Sequence, residues 1–309
     1  MKKWLVGFSI LLVLILVSAY VFIPKTIMLN AAIGVKASRP GLYRMLFDKA
    51  NIAKWWPGKV GDESFFLNNT NYSFHKENIT IIPVTVKGQE INSTVSLFLT
   101  AITADSTQLD WVGSISTSYN PVKRYITYLE GRKIRRDMAS ILQKMEKFYS
   151  DPINIYGIKI QNTLVTDSFL ISTSGRCIGQ PSNTFIYGLI GKLRNYASKN
   201  SAKESGYPML SISTDDNKAF DVKVAIPVDK LLPSSGDILQ KRMLGRGNIL
   251  TTAVKGGTDN TTEAFTQIQH YARDYQLRFP AIPFYSLITD RTKEPDSSKW
   301  LTKIYVPIM

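Results

Sequence analysis

The C-terminal half of this chain repeats one pattern twice, and this repeat constrains the fold more than any other feature. Residues 220–228 are echoed by residues 300–308, and residues 208–215 are echoed by residues 283–290. A helical pattern precedes each of these pairs. The order predicts a duplicated strand-helix-strand-strand unit. Two such copies that face each other predict a cleft between pseudo-symmetric halves, where small molecules bind.

The repeated strands alternate, and the alternation assigns their faces. Apolar residues recur at every second position, which predicts a core face on each strand. These residues are Val222, Val224, Ile226, Ile304, Val306 and Ile308. Lys223 and Lys303 fall on the opposite faces at equivalent places. They are either two solvated lysines on an open sheet face or a pair of ammonium groups facing one cleft and suited to an anion.

The start of the chain predicts a membrane anchor. Lys2 and Lys3 precede an uncharged, mostly apolar run over residues 4–23. Twenty residues in a helix span about 30 Å, the hydrocarbon thickness of a bilayer. A cleavable signal peptide is the competing interpretation. Because lysines stay on the cytoplasmic side, the rest of the chain is expected on the non-cytoplasmic side of the cell membrane.

The net charge of +14 raises the possibility of a nucleic-acid-binding protein. The surplus is spread along the chain, however, and no recognition-helix, RNA-binding or zinc-ligand motif is visible. The densest basic cluster is Arg132, Lys133, Arg135 and Arg136, on a helix whose other face is apolar. That cluster is interpreted as a solvated helix face, with anionic lipid headgroups as an alternative partner. We expect no nucleic acid, metal or cofactor.

The segment 30–151 reads as one α+β unit. A short strand is followed by a helix that opens at Ser38, because Ser is a good N-cap and a proline follows in the first turn. Short β-branched runs separated by Asn, Gly and Asp then predict an antiparallel sheet. A long amphipathic helix closes the unit. Its apolar stripe is Ile134, Met138, Ile141, Leu142, Met145 and Phe148.

This order resembles the START-like SRPBCC superfamily, which includes polyketide-cyclase-like proteins. The likeness rests on the paired tryptophans before Pro57, on Asp110-Trp111 in a late strand, and on Asn120-Pro121 before the closing helix. It implies a long helix across a curved sheet that encloses an apolar cavity. The resemblance makes Trp55, Trp56, Trp111 and Tyr125 candidates to line that cavity. The alternative is that they are ordinary core aromatics.

The duplicated half resembles the GyrI-like family, also the effector-binding domain of AraC- and MerR-type bacterial regulators. The residues that carry the likeness are 183–196, 207–209, 222–227, Tyr285 and 300–308. The resemblance implies small-molecule binding between the halves, often of lipophilic cations, and in some members hydrolysis of strained rings. It makes Lys223, Tyr285, Trp300, Lys303 and Tyr305 candidate ligand contacts. Lys303 stands where the family usually has Glu, and an ammonium group cannot replace a carboxylate.

The sequence therefore predicts an α+β protein with three parts. These are a transmembrane signal-anchor (1–29), a START-like helix-grip domain (30–151) and a duplicated β-α-β-β GyrI-like domain (152–309). The predicted function is a membrane-anchored binding protein for an apolar or amphiphilic, possibly anionic, small molecule, without catalytic residues. An exported hydrolase using the GyrI-like cleft, or an interaction module whose pockets are filled by side chains, are the alternatives.

Overall fold

The computed structural model describes residues 17–62, 64–214, 219–243 and 245–309. The chain is a mixed α+β protein that divides into two compact units, Met1–Ile155 and Tyr156–Met309. Each unit holds one large antiparallel sheet. The predicted junction at Asp151-Pro152 lies just before the end of the first unit, beside a single-turn helix, Ile153–Tyr156.

The first unit contains a seven-stranded antiparallel sheet and a long helix that follows it. The strands run in the spatial order β1-β7-β6-β5-β4-β3-β2, and every pair is antiparallel. They are β1 (Thr26–Val35), β2 (Lys59–Val60), β3 (Phe65–Leu67), β4 (Thr70–Phe74), β5 (Ile81–Lys87), β6 (Asn92–Thr103) and β7 (Ser106–Ser116). Helices α1 (Arg39–Met45) and α2 (Lys49–Ile52) lie between β1 and β2, and α3 (Pro121–Tyr149) follows β7. The single-turn helix after α3 is α4.

Local sequence signals explain where these helices begin. The Ser38 hydroxyl accepts a hydrogen bond from the backbone N–H of Gly41 at 3.3 Å, and α1 starts there as predicted. The Asn120 side chain accepts from the N–H groups of Val122 and Lys123 at 3.0 and 3.2 Å, and Pro121 opens α3. Both caps satisfy N–H groups that have no partner inside the helix.

The buried face of α3 is the predicted stripe with one change. Ile134, Met138, Ile141, Leu142 and Met145 are all buried, and the helix packs against β1. Phe148 is only half-buried, and Tyr149 occupies the core at that turn instead. Tyr149 is held there because its hydroxyl accepts from the Trp55 indole N–H at 2.9 Å. This polar contact lies outside what apolar spacing can predict.

The second unit contains an eight-stranded sheet with the order β12-β9-β11-β10-β14-β15-β13-β8. The strands are β8 (Gln161–Leu164), β9 (Ser168–Ile178), β10 (Met209–Thr214), β11 (Ala219–Val228), β12 (Leu239–Met243), β13 (Asn248–Lys255), β14 (Phe284–Leu287) and β15 (Leu301–Pro307). Helix α5 (Asn183–Lys199) follows β9, and α6 (Thr258–Asp274) follows β13.

The fold of this unit is duplicated, as the sequence repeat predicts. The first copy is β9-α5-β10-β11, and the second copy is β13-α6-β14-β15. From the outside inward, the first copy contributes β9, β11 and β10, and the second copy contributes the equivalent strands β13, β15 and β14. The two copies meet at the centre of the sheet, where β10 pairs with β14. The pseudo-twofold relation therefore passes between these two strands.

Each copy buries its own apolar core between strand and helix. Val222, Val224 and Ile226 of β11 pack in one cluster with Ile186, Ile190 and Leu193 of α5. Ile304 and Val306 of β15 pack in another cluster with Ala264 and Ile268 of α6. The predicted core faces are confirmed. Tyr285 packs against both clusters and so links the two copies.

Most of the predicted membrane anchor lies outside the described residues, because the description of the chain begins at residue 17. Residues 17–22 are helical. Within the part of the chain that is described, no helix combines the length and apolar character needed to cross a bilayer.

Candidate functional site

Lys223 and Lys303 lie on the face of the second sheet opposite α5 and α6, here called the open face. Their strand neighbours Val222 and Ile304 point toward the helices, so the lysines point away. Lys223 is exposed. Lys303 is half-buried, and its Nζ lies 5.1 Å from the ring centroid of Tyr305. The Tyr305 ring stacks on Phe284 of β14 at 4.9 Å.

The two lysines share a face, but two strands separate them. Lys223 pairs with Ser211 of β10, and Lys303 pairs with Ser286 of β14. Three inter-strand steps of about 4.8 Å place their backbones at least roughly 14 Å apart. Anion binding by this pair stays a prediction.

A cavity of about 480 Å³ lies on the other side of the sheet, at the junction of the two copies. We call it the helix-side cleft. Leu210 and Ile212 of β10 and Tyr285 of β14 supply apolar and aromatic lining from the two central strands. The N-terminal turns of both helices also border it. Its further lining residues are Gln180, Pro181, Asn183, Ile186, Thr258, Asp259, Thr261, Thr262 and Arg291.

Arg291 brings a positive charge to this cleft. Its guanidinium carbon lies 4.5 Å from the Trp300 ring centroid, and its Nη2 donates to Thr302 Oγ1 at 3.1 Å. Its backbone N–H donates to the Tyr187 hydroxyl at 2.8 Å. Burial lowers the pKa of Arg291, yet guanidinium stays protonated at neutral pH. Among the described residues it has no carboxylate partner within ion-pair distance.

The first turn of α6 borders the same cleft, and its backbone N–H groups receive no side-chain cap. The residue before the helix is Gly257, which has no side chain to cap those groups. The first turn of a helix carries partial positive charge, which favours anions. Asp259 in that turn is exposed and lines the cleft as well. The cleft therefore combines an apolar floor, one half-buried cation and one solvated carboxylate.

Tyr285 and Trp300 have different relations to this site. Tyr285 lines the cleft, and burial raises the pKa of its hydroxyl. Trp300 is buried, donates its indole N–H to the Glu294 carbonyl at 2.8 Å and presents its ring to Arg291. Trp300 thus positions Arg291. Of the residues that the sequence singled out in this unit, Tyr285 lines the cleft and Trp300 supports it.

The tryptophans of the first unit lie in its interior. Trp55 and Trp56 are 6% exposed, and Trp111 is fully buried. The Trp56 indole N–H donates to the Phe66 carbonyl at 3.1 Å. An aromatic cluster connects Trp56 to Trp111 through ring contacts of 5.1 to 6.2 Å. Its members are Trp56, Phe65, Tyr72, Phe74 and Trp111.

Tyr125 does not share this interior position. Its side chain is 54% exposed on the outer face of α3. The adjacent Arg124 and the following Thr127 are buried instead. The family resemblance made Tyr125 a candidate to line a cavity, and that role stays a prediction.

The interior of the first unit also contains polar atoms that sequence reasoning missed. Asp137 of α3 accepts from the Asn68 side-chain amide at 2.8 Å through Oδ1. Its Oδ2 and the Trp111 indole N–H are buried and have no hydrogen-bond partner among the described residues. Burial raises the pKa of Asp137. Burial, and then the Asp137 carboxylate, raises the pKa of Tyr72. The sequence signal for these buried polar atoms is the position of Asp137 among the apolar residues that form the buried stripe of α3.

The chain has no match among protein-family models or curated proteins. Among solved structures, the EcmrR C-terminal domain aligns with a TM-score of 0.42 and 17% identity, over 49% of this chain and 98% of that chain. The EcmrR–DNA complex aligns at 0.44 and 19%, over 62% and 72%. SAV2435 bound to tetraphenylphosphonium aligns at 0.33 and 14%, over 49% and 94%. An uncharacterized conserved protein from Listeria innocua aligns at 0.39 and 9%, over 49% and 92%. All of these TM-scores are below 0.5, so the alignments carry no argument about function. The function is therefore argued from the residues of this chain.

Proposed function

We propose that this protein is a membrane-anchored binding protein for an apolar or amphiphilic small molecule that carries an anionic group. The ligand occupies the helix-side cleft, with its apolar part on Leu210, Ile212 and Tyr285 and its anionic group toward Arg291. One observation carries the proposal. A half-buried guanidinium without a carboxylate partner among the described residues lines a cleft with an apolar floor at the junction of two repeats.

The size and composition of the cleft support a small-molecule site. Its volume of about 480 Å³ falls in the usual range for such sites. Binding pockets combine apolar walls with a few polar groups that fix the orientation of the ligand. Here the central strands supply apolar side chains, and the helix starts and Arg291 supply polar groups.

The charge balance of the cleft supports an anionic rather than a cationic ligand. Asp259 is exposed, so water screens its charge and a contact with it is worth little. Arg291 is partly desolvated, and a hydrogen bond from such a cation to an anion is worth more, about 1.5–3 kcal/mol. The uncapped start of α6 adds to the same preference.

The element order of both units supports the family resemblances. The first unit runs strand, two short helices, six strands and a long closing helix, which is the order that a START-like helix-grip domain requires. The second unit is a duplicated β-α-β-β sheet, the arrangement implied by a GyrI-like domain. We further propose that the apolar run at residues 4–23 anchors the chain, with both units on the non-cytoplasmic side.

Removal of the Arg291 charge tests this function. We expect Arg291→Gln to weaken binding of an aryl sulfonate by about tenfold or more, since roughly 1.4 kcal/mol corresponds to a factor of ten. Binding of an aryl ammonium with the same ring system should not weaken. The measurement is calorimetric titration of the full-length protein in amphipol.

Two further variants make the result specific. Arg278→Gln removes an exposed arginine of the same unit and should leave both affinities unchanged. Ile212→Trp fills the apolar part of the cleft and should weaken both probes. Equal affinities of wild type, Arg291→Gln and Ile212→Trp for the sulfonate would contradict the proposed site.

A further inference from the structure

The outer face of α3 carries an apolar stripe over its first turns. Val122, Tyr125, Ile126 and Leu129 are 60, 54, 37 and 46% exposed. Their spacing of three, four and seven residues places them on one side of the helix. A helix on the surface of a globular protein normally turns charged and polar residues to water on this side. The stripe is therefore a surface that suits a nonaqueous partner.

This stripe continues onto residues 17–23, which lie beside it. Ser18, Ala19, Phe22 and Ile23 line one part of an apolar groove of about 550 Å³. Pro121, Val122, Tyr125 and Tyr128 line the rest. Phe22 and Val21 are 80 and 70% exposed beside the groove. The exposed apolar surface thus spans two segments that are far apart in sequence.

Specific contacts hold residues 17–23 at this place. The buried Arg124 donates from its guanidinium to the Ile23 carbonyl and lies 5.2 Å from the Tyr20 ring centroid. The Tyr20 hydroxyl donates to the Tyr119 carbonyl oxygen. Since the apolar run of the sequence ends at Ile23, the chain enters the first unit beside the exposed stripe. Residues 17–23 of the proposed anchor are therefore continuous with the stripe.

The residue types around this surface are those of a membrane interface. Tyr125 and Tyr128 line the groove, and Tyr20 and Tyr119 contact each other in the same two segments of the chain. Tyrosine is enriched where one end of a side chain meets hydrocarbon and the other meets water. The next turns of α3 carry Arg132, Lys133, Arg135 and Arg136. Basic side chains next to an apolar surface attract anionic headgroups.

The contacts of the nearby carboxylates leave the positive charge of residues 132–136 in place. Both Glu130 oxygens accept backbone N–H bonds, from Gln89 at 2.6 Å and Glu90 at 3.0 Å. Glu90 lies 3.9 Å from the Lys123 ammonium group. A second copy of the chain would bring two like-charged basic clusters together, whereas an anionic bilayer complements them.

We propose that this surface, here called the tyrosine face (Tyr20, Tyr119, Val122, Tyr125, Ile126 and Leu129), docks on the lipid bilayer. The apolar stripe enters the boundary between headgroups and acyl chains, and the groove accommodates an acyl chain. The basic residues at 132–136 bind anionic headgroups. This inference rests on the proposed anchor, and it adds that the first unit itself contacts the lipid through a fixed face.

Site-specific fluorescence in lipid nanodiscs tests the docking. Cys177 is the only cysteine, so Cys177→Ser gives a background for single labels. An environment-sensitive dye is attached at Val122→Cys or, as a matched control, at Ile102→Cys. Ile102 is an exposed apolar residue on β6 of the same unit, at 63% exposure. Spin-labelled lipids should quench most of the fluorescence at position 122 and leave position 102 unquenched.

The remaining arms separate the possible outcomes. We expect stronger quenching at position 122 in discs with anionic lipid than in neutral discs, and Arg132→Gln with Arg135→Gln should remove that difference. A dye at position 122 that is shielded from water yet not quenched would mean that protein covers the face, and the inference would be wrong.

Alkaline carbonate extraction tests the anchor separately. Extracted protein contradicts the anchor, whereas resistant protein with an unquenched label contradicts only the docking.

Discussion

At the scale of single residues, the strength of prediction depends on how local the cause is. The buried positions of Val222 and Ile304 follow from alternation within one strand, so the sequence predicts them correctly. The place of Arg291 depends on the pairing of β14 with β15, which brings Trp300 and Thr302 to it. No spacing along the chain contains that information. The cation of the cleft was therefore found only in the structure.

Asp137 is a second residue whose role depends on tertiary packing, and its titration is testable. Its pKa is raised in the folded state mainly by burial, so the folded protein binds the proton more tightly than the unfolded chain does. Stability from this group is present at low pH and is lost as pH rises through the raised pKa. Asp137→Asn removes the buried charge and retains an acceptor for Asn68.

We expect the stability of Asp137→Asn relative to wild type to increase between pH 4 and pH 7. The measurement is the thermal unfolding midpoint of both proteins at several pH values. Asp105→Asn, which removes an exposed carboxylate of the same unit, controls for the general effect of one lost charge. Parallel midpoint curves for wild type and Asp137→Asn would show that burial does not govern this carboxyl.

At the scale of elements, the sequence predicts helix starts and amphipathic helices, but it does not predict the edge strands of the second sheet. The start of α1 at Ser38 and the long closing helix follow from local signals. The strands β8 and β12 carry weak patterns, and most of their side chains are at least partly exposed. They exist because they pair with the outer strands β13 and β9 of the two copies. Such long-range pairing leaves little trace in sequence.

The cap of α3 gives the prediction at this scale. The Asn120 side chain accepts two backbone N–H bonds at the start of a 29-residue helix. We expect Asn120→Ala to lower the free energy of unfolding by about 1 kcal/mol, the usual cost of losing a cap. Asn120→Ser retains an acceptor and should cost clearly less. Chemical denaturation of the three proteins measures this, and equal stability of the Ala and Ser variants would refute a capping role.

At the scale of the whole molecule, the repeat was sufficient to predict the second unit. Each copy has a sheet edge that needs a hydrogen-bonded neighbour. Pairing of β10 with β14 joins the edge of one copy to the equivalent edge of the other. The resulting junction creates the helix-side cleft, so the site is a consequence of duplication. Which face holds the cleft could not be predicted, because that depends on where the helix N-termini converge.

The same duplication predicts that the second unit folds by itself. It closes its own sheet and its own cores, and Tyr156 fastens its first residues by donating to Asp274 Oδ2 at 2.8 Å and packing edge-on against Tyr271. We expect residues 152–309 to unfold cooperatively in calorimetry. Residues 160–309 lack the buried Tyr156 and should be less stable by about 3 kcal/mol or more, as for loss of a large buried aromatic. A non-cooperative transition for residues 152–309 would mean that the duplicated unit needs the rest of the chain to fold.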